Sequence, residues 1–506
     1  MLNRILRDFR LRCCLSFFLL LFLCLLFPYT GDDWAWGTSI GLKRLATWFK
    51  DYNGRYVGNL VVLALTRSRV LCAIVTAAVM VGICAQIRLI VGKDWVFELA
   101  ALFLLAIPKA IGAQTVVFAS GFANYSLSAF LFLLFTAAVF KETDHAARKP
   151  AIKSAALAAV GFAGCLIVEH VTICTVLLSL ASLLYIRRTR GRWSIPLFAH
   201  FLGATAGAVW MFSNTAYRMV IEKTDTYRSF SDGGLLSRAV KNYLSVIYRE
   251  GYLNNALLNA ALFLVCLAGF FLLRKKLTKR LAWHSLMVMG LFSAYSLFAV
   301  IYVTDARQGH FLHAEAAVAF FGLVGTFASL LFLAMALGDR EVWEKLLFTM
   351  AAILLFLAPL FLVTPVTSRC FMASYVAFVL LLCLTAKMCV CALEREKPDA
   401  DETRKAIGTG MRKILLLGIT ALYVFYMGVY YSVHKVDVSR LEHIRADVAA
   451  GRQETEILHF PYESFLWTGT PLETNVWGPR YKLFHGIPSD VRLIAVWEYS
   501  ENAADG

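Results

Sequence analysis

The chain has 506 residues, of which 59% are hydrophobic and 17% charged, and a formal net charge of +16. Soluble domains usually carry about 25% charged and roughly 45–50% apolar residues, so this balance excludes an ordinary soluble protein and points to one that crosses a bilayer many times. The positive charge does not point to nucleic acid, because lysine and arginine fall in alternate short gaps between apolar runs, which is the positive-inside pattern of a membrane protein.

In chain order, Arg4, Arg7, Arg10 and Arg12 precede an apolar run at 15–27. This has the form of a signal peptide, but Pro28-Tyr29-Thr30-Gly31-Asp32-Asp33 offers no small-x-small cleavage site, so an uncleaved first span is expected. Further runs lie at 70–91, 96–107, 125–140, 152–168, 171–186, 195–212, 256–273, 283–303, 316–337, 346–363, 371–393 and 414–431. Threaded alternately, they give about thirteen spans with every basic-rich gap in the cytoplasm, the N-terminus inside and the C-terminus outside. The short 96–107 run and the tight Glu169-His170 junction strain this scheme. The expected fold is an all-α integral membrane protein, with a transmembrane domain over 1–431 and a small extracytoplasmic α/β cap over 432–506. Within that cap, the apolar stretches 456–460 and 491–497 read as its regular elements. The 12 cysteines sit in apolar runs or at their ends without paired metal-site spacing; they read as packing residues, and no disulfide framework is implied.

The candidate chemistry lies on the outer side. Asp32 and Asp33 follow the first span beside Trp34 and Trp36. A carboxylate at the membrane rim can serve as general base for a hydroxyl acceptor, or it can be the hydrated end of a span. Residues 40–49 form an amphipathic stretch with Leu42, Leu45, Ala46 and Phe49 on one face and Lys43 and Arg44 on the other, as in a helix lying on the membrane surface. Arg55 follows at headgroup level, suited to phosphate binding or to plain anchoring. Asn124 and Tyr125 enter a span, where the amide can face substrate or cap a helix. Glu169 and His170 interrupt a continuous apolar stretch, and so face a cavity or form a polar turn. Asn214 and Arg218 lie at the outer end of another span. Asp305, Arg307, His310, His313 and Glu315 share an outer loop whose spacing would allow a metal, although such loops are more often simply polar. Arg369 stands at the outer end of a span against the positive-inside bias, where it can hold a leaving phosphate or snorkel.

The segments Gly31-Asp32-Asp33-Trp34, Asn53-Gly54-Arg55-Tyr56, Ser120-Gly121-Phe122-Ala123-Asn124-Tyr125, Phe212-Ser213-Asn214 with Arg218, and residues 481–487 together resemble the GT-C glycosyltransferase superfamily. More narrowly, the chain is similar to an uncharacterised bacterial family of GT-C-like membrane proteins. Phe212-Ser213-Asn214 departs from that family's Pro-Gly-Asn pattern, so Arg218 matches the family only in part. The resemblance implies transfer of a sugar from a polyprenyl-phosphate donor to a cell-envelope glycan or lipid acceptor, on the outer face of the bacterial cytoplasmic membrane. It implies Asp33, with a slight preference over Asp32, as the base. Arg369, with Arg307, Arg218 or Arg55, would hold the donor phosphate, and Asn124, Tyr125, Glu169, His170 and Asn214 would line the cavity. No cofactor is implied, and a divalent metal is left open.

No Walker A sequence, nucleophile elbow or His-Glu-x-x-His motif occurs. A transporter or flippase of a lipid-linked or polar solute is the rival reading, although the chain shows no repeat of the kind transporters often carry. A polysaccharide polymerase or ligase is a second rival.

Overall fold

The computed structural model describes residues 8–50, 52–144, 150–222, 224, 229–230, 234–302, 312–396 and 401–500. Among these residues, nine helices are long and apolar enough to cross a membrane, and a tenth span results if one sharply bent pair counts as a unit. The chain is therefore an almost wholly helical, multi-pass membrane protein; its described strands form two two-stranded sheets.

Helix boundaries follow local chemistry. Arg69–Val91 starts at Ser68, whose hydroxyl accepts from the Leu71 N–H at 3.2 Å, and stops at Gly92, where φ is 81°. The serine satisfies an otherwise orphaned donor and the glycine adopts the left-handed stop at no steric cost. Its 23 residues extend about 35 Å, enough for a hydrocarbon core of about 30 Å. Between Pro150–Gly164 and Ile195–Phe212 the contact is built on glycine: a Cβ at Gly161 would run into the His200 carbonyl, and one at Gly203 into the Ala158 carbonyl. In lipid, such close approach replaces the hydrophobic drive that joins helices in water.

Three local expectations are revised. The short run expected at 96–107 is the helix Val96–Leu105, which turns through 88° into Lys109–Val117. Pro108 at the bend lacks an N–H and disfavours helix in the residue before it. The amphipathic helix does form, as Ser39–Ala46, but Trp48 and Phe49 then take φ of 50° and 57°. This left-handed turn carries Phe49 off the apolar face and buries it against Trp36 and Tyr56. Finally, the last apolar run belongs to one helix, Asp401–Ala449, that passes Tyr431 without a break. Residues 432–449 therefore continue that helix. Beyond it, Glu454–Leu458 pairs in parallel with Arg492–Val496, and Trp477–His485 lies in the crossover between them, as parallel strands require.

Ion pairs and several other polar contacts between separate segments fall into two sets. Glu98 binds both Arg12 and Arg412, at 2.7 and 2.8 Å. Lys93 pairs with Glu394, Arg395 with Asp339, and Lys387 with Glu341. All of these gaps fall in one set of the alternation read from the sequence. The opposite set is joined by Asp33 to Ser120, Arg55 to Glu169, Arg69 to Asp437, Arg249 to Glu315 and Asp32 to Arg480.

Candidate functional site

The second set contains most of the residues singled out in the sequence, and their surroundings separate them. Asp33 is fully buried in the short helix Asp32–Trp36. One carboxylate oxygen accepts from the Ser120 N–H at 2.8 Å and the Ser120 hydroxyl at 2.5 Å; the other accepts from the Ala119 N–H at 3.1 Å and the Thr30 N–H at 3.5 Å. It caps the first turn of Ala119–Lys141, whose exposed N–H groups have no intrahelical partner. Burial pushes its carboxyl up to about 7, against the pull of the hydrogen bonds from Ser120, Ala119 and Thr30. Asp32 differs in access: its side chain is 33% exposed and meets Arg480 at 2.9 Å. The two neighbouring carboxylates therefore differ in surroundings, one enclosed by backbone and hydroxyl donors and the other open to an approaching group.

Arg55 and Glu169 form the tightest charged contact in this set. Arg55 Nε lies 3.0 and 3.1 Å from the two Glu169 oxygens, and Nη2 lies 2.7 Å from one of them. Burial works against the Arg55 charge, and the Glu169 carboxylate more than offsets it. Glu169 also accepts from the Tyr217 hydroxyl at 2.8 Å, which in turn accepts from the Gly54 N–H at 3.2 Å. The Glu169-His170 junction is thus an anchor for the 53–56 turn as well as the start of Glu169–Arg190.

Tyr125 connects this anchor to Arg369. The Arg55 and Arg369 guanidinium carbons lie 5.8 and 5.9 Å from the centre of the Tyr125 ring, and His170 stacks on that ring at 6.2 Å. Arg369 also lies 5.6 Å from the Trp467 ring. Trp467 packs beside Gly31, where a Cβ would come within 3.2 Å of the indole. Arg55, Tyr125, Arg369, Trp467, Gly31 and Asp32 therefore form a continuous chain of contacts, cations alternating with aromatic rings and a carboxylate at one end. Buried polar atoms on or beside it that lack a hydrogen-bond partner among the described residues include Thr30 Oγ1, Asn124 Oδ1, His170 Nε2 and Trp467 Nε1. Buried polar groups are nearly always paired, so these atoms suit a ligand or water.

Other expected residues lie apart. Asn214 caps Thr215–Ile221 through Oδ1, and its amide donates to Phe49 O, Asn53 O and Tyr56 Oη, each at 3.1 Å. Its polar atoms are thus engaged, the oxygen by its own helix and the nitrogen by the 49–56 turn. Arg218 is exposed on that helix. Arg307, Asp305 and His310 lie outside the described residues. Glu315 accepts from Tyr248, Tyr295 and Arg249 at 3.1, 2.9 and 3.2 Å, and His313 is exposed. Among the described residues no three His, Cys, Asp or Glu side chains gather as metal ligands would.

A polar cavity of 260 Å³ is lined by Gln114, Arg249, Glu250 and Ser368, the residue before Arg369, among others. Burial raises the Glu250 carboxyl, while a hydrogen bond with Ser368 and the Arg249 charge act in the opposite sense. The argument that singled out Arg369, an arginine on the outer side, applies equally to Arg249 and would have found this pair. Trp467 and Arg480 carried no such signal. Compared with known proteins, the chain matches no family model, no curated protein and no solved structure.

Proposed function

We propose that the protein is a membrane glycosyltransferase of GT-C type, which moves a sugar from a polyprenyl-phosphate donor to an envelope glycan or lipid acceptor. The observation that carries this reading is the chain of contacts that joins Asp32 to Arg369 through Trp467 and Gly31, with Ser368, the residue before Arg369, lining a polar cavity. In the proposed reaction the acceptor oxygen attacks the anomeric carbon as the bond from that carbon to the phosphate oxygen breaks. Asp32 takes the acceptor proton, polyprenyl phosphate leaves, and the anomeric configuration inverts. Arg369 stabilises the charge that develops on the leaving phosphate. Arg55, already matched by Glu169, holds the Tyr125 face in place rather than supplying uncompensated charge.

The two sets of ion pairs support the alternating topology. The first helix Phe9–Cys24, the bent pair and the shorter apolar helices Ala151–Gly164 and Ala256–Leu272, added to the nine long helices, give the thirteen proposed spans. In this topology the basic-rich gaps face the cytoplasm, the site opens on the outer face of a bacterial cytoplasmic membrane, and the region after Ala449 is an extracytoplasmic cap. The test is release of polyprenyl phosphate from a panel of polyprenyl-phosphate sugars by the purified protein. Release with an acceptor present supports the reading. Saturable solute or lipid movement in proteoliposomes, with no release from any donor, replaces it with a transporter.

A further inference from the structure

The bent segment Lys109–Val117 has two unlike sides. Gln114 faces the polar cavity beside Ser368. Ala113, Val116 and Val117 face a second cavity of 270 Å³, enclosed by the first helix, Arg69–Val91, Val96–Leu105 and the long final helix. That second cavity is lined almost wholly by apolar side chains, such as Leu20, Leu23 and Leu104, and lies among the membrane-spanning helices. At one end stand Lys109 and Phe465, with the ammonium 5.6 Å from the ring centre. Lys109 is exposed and has no ion-pair partner among the described residues.

We propose that this cavity is a binding slot for one acyl chain of an anionic phospholipid whose headgroup phosphate rests on Lys109. The surroundings select the occupant. A cavity walled by spanning helices is filled from the bilayer, and water gains nothing from an apolar space of this kind. The space is large enough for part of one acyl chain. A single unmatched lysine at the mouth selects a negative head. The slot lies on the other side of Lys109–Val117 from the polar cavity, so a resident lipid there would brace the segment that separates them. This inference does not depend on the glycosyl-transfer reading.

The experiment uses the full chain in nanodiscs of equal phosphatidylglycerol and phosphatidylcholine, extracted into mild detergent, with retained lipid counted by native mass spectrometry. The wild type is expected to retain one phosphatidylglycerol over phosphatidylcholine by about fivefold, the worth of one lysine near an anionic headgroup. Lys109→Gln should keep a bound lipid and lose that preference. Ala101→Phe, which fills the slot, should lose the lipid while its melting behaviour in detergent remains that of a folded protein. Equal retention by Ala101→Phe and the wild type, or no retained lipid in the wild type, overturns the proposal. So does displacement of phosphatidylglycerol by added polyprenyl phosphate at equal concentration, which would assign the slot to a carrier lipid. If Ala101→Phe fails to fold, the milder Ala101→Leu is read in the same way.

Discussion

Arg480 Nη1 lies 2.9 Å from Asp32 Oδ1, across 448 residues of chain. The contact ties the helix Trp477–His485 to the turn that follows the first helix, and Trp34 packs edge-on against Tyr481 beside it, with ring centres 5.1 Å apart. The region after the long final helix is thereby fastened to the 28–33 turn where the accessible carboxylate sits.

Arg480→Ala tests this fastening. The pair is partly exposed, so its loss should cost only about 1 kcal/mol of stability. Hydrogen exchange should speed up across 477–485, and turnover should fall by about tenfold if Asp32 must be held in place. Unchanged exchange and turnover would show that the contact positions nothing.

Asp33 should make stability depend on pH. Its carboxyl stands at about 7 in the folded chain against 3.8 ordinarily. Between those values the folded state binds more protons than the unfolded one, so stability falls as pH rises from about 4 to about 7 and then levels off. The full effect is roughly 4 kcal/mol. Asp33→Asn should flatten this slope and cost about 1–3 kcal/mol, because the amide cannot accept from every donor now facing the carboxylate. Thermal melts of both proteins from pH 4 to 8 would show it, and parallel slopes would contradict it.

Arg55 and Glu169 should behave as a unit. Glu169→Gln leaves a poorly matched guanidinium beside Tyr125 and should cost about 3 kcal/mol. Arg55→Met with Glu169→Met should cost less than the sum of the two single changes. A double-mutant cycle of melting midpoints measures the coupling, and additive losses would mean that the contact is not an energetic pair.

Much of this was legible in the sequence, and the parts that were not have physical causes. Apolar length and the alternation of basic gaps determine which segments form helices and which ends share a layer, because the bilayer is a uniform solvent with two different faces. The strands Glu454–Leu458 and Arg492–Val496 could be read from apolar stretches in the tail. Arg55, Tyr125, Glu169, His170 and Arg369 stood out because charge and polarity at a span end are costly. The roles within the acidic pair did not stand out. Asp32 and Asp33 are chemically identical neighbours, and only the tertiary position of Ser120 decides which one is enclosed. Trp467 and Arg480 were invisible for the same reason, since nothing local marks a contact made hundreds of residues away. The bend at Pro108 was signalled by a proline, but the run at 96–107 stops before it, and nothing in the residues beyond marked the second helix Lys109–Val117.

Orientation has its own test. A phosphatase fused after Ser500 should be active outside the cytoplasmic membrane, and a fusion in the 274–280 gap should be inactive, as the positive-inside pattern requires. The reverse activities would invert the topology and place the Asp32 side in the cytoplasm.

The most direct measurement compares polyprenyl phosphate release by the parent, Asp32→Asn and Asp33→Asn in one donor panel, with melting midpoints recorded for all three. The account predicts release by the parent and a loss of at least about 100-fold in Asp32→Asn with its fold intact. It predicts that Asp33→Asn is impaired mainly through stability. Parent-like release by Asp32→Asn, or no release by a folded parent from any donor, would contradict it.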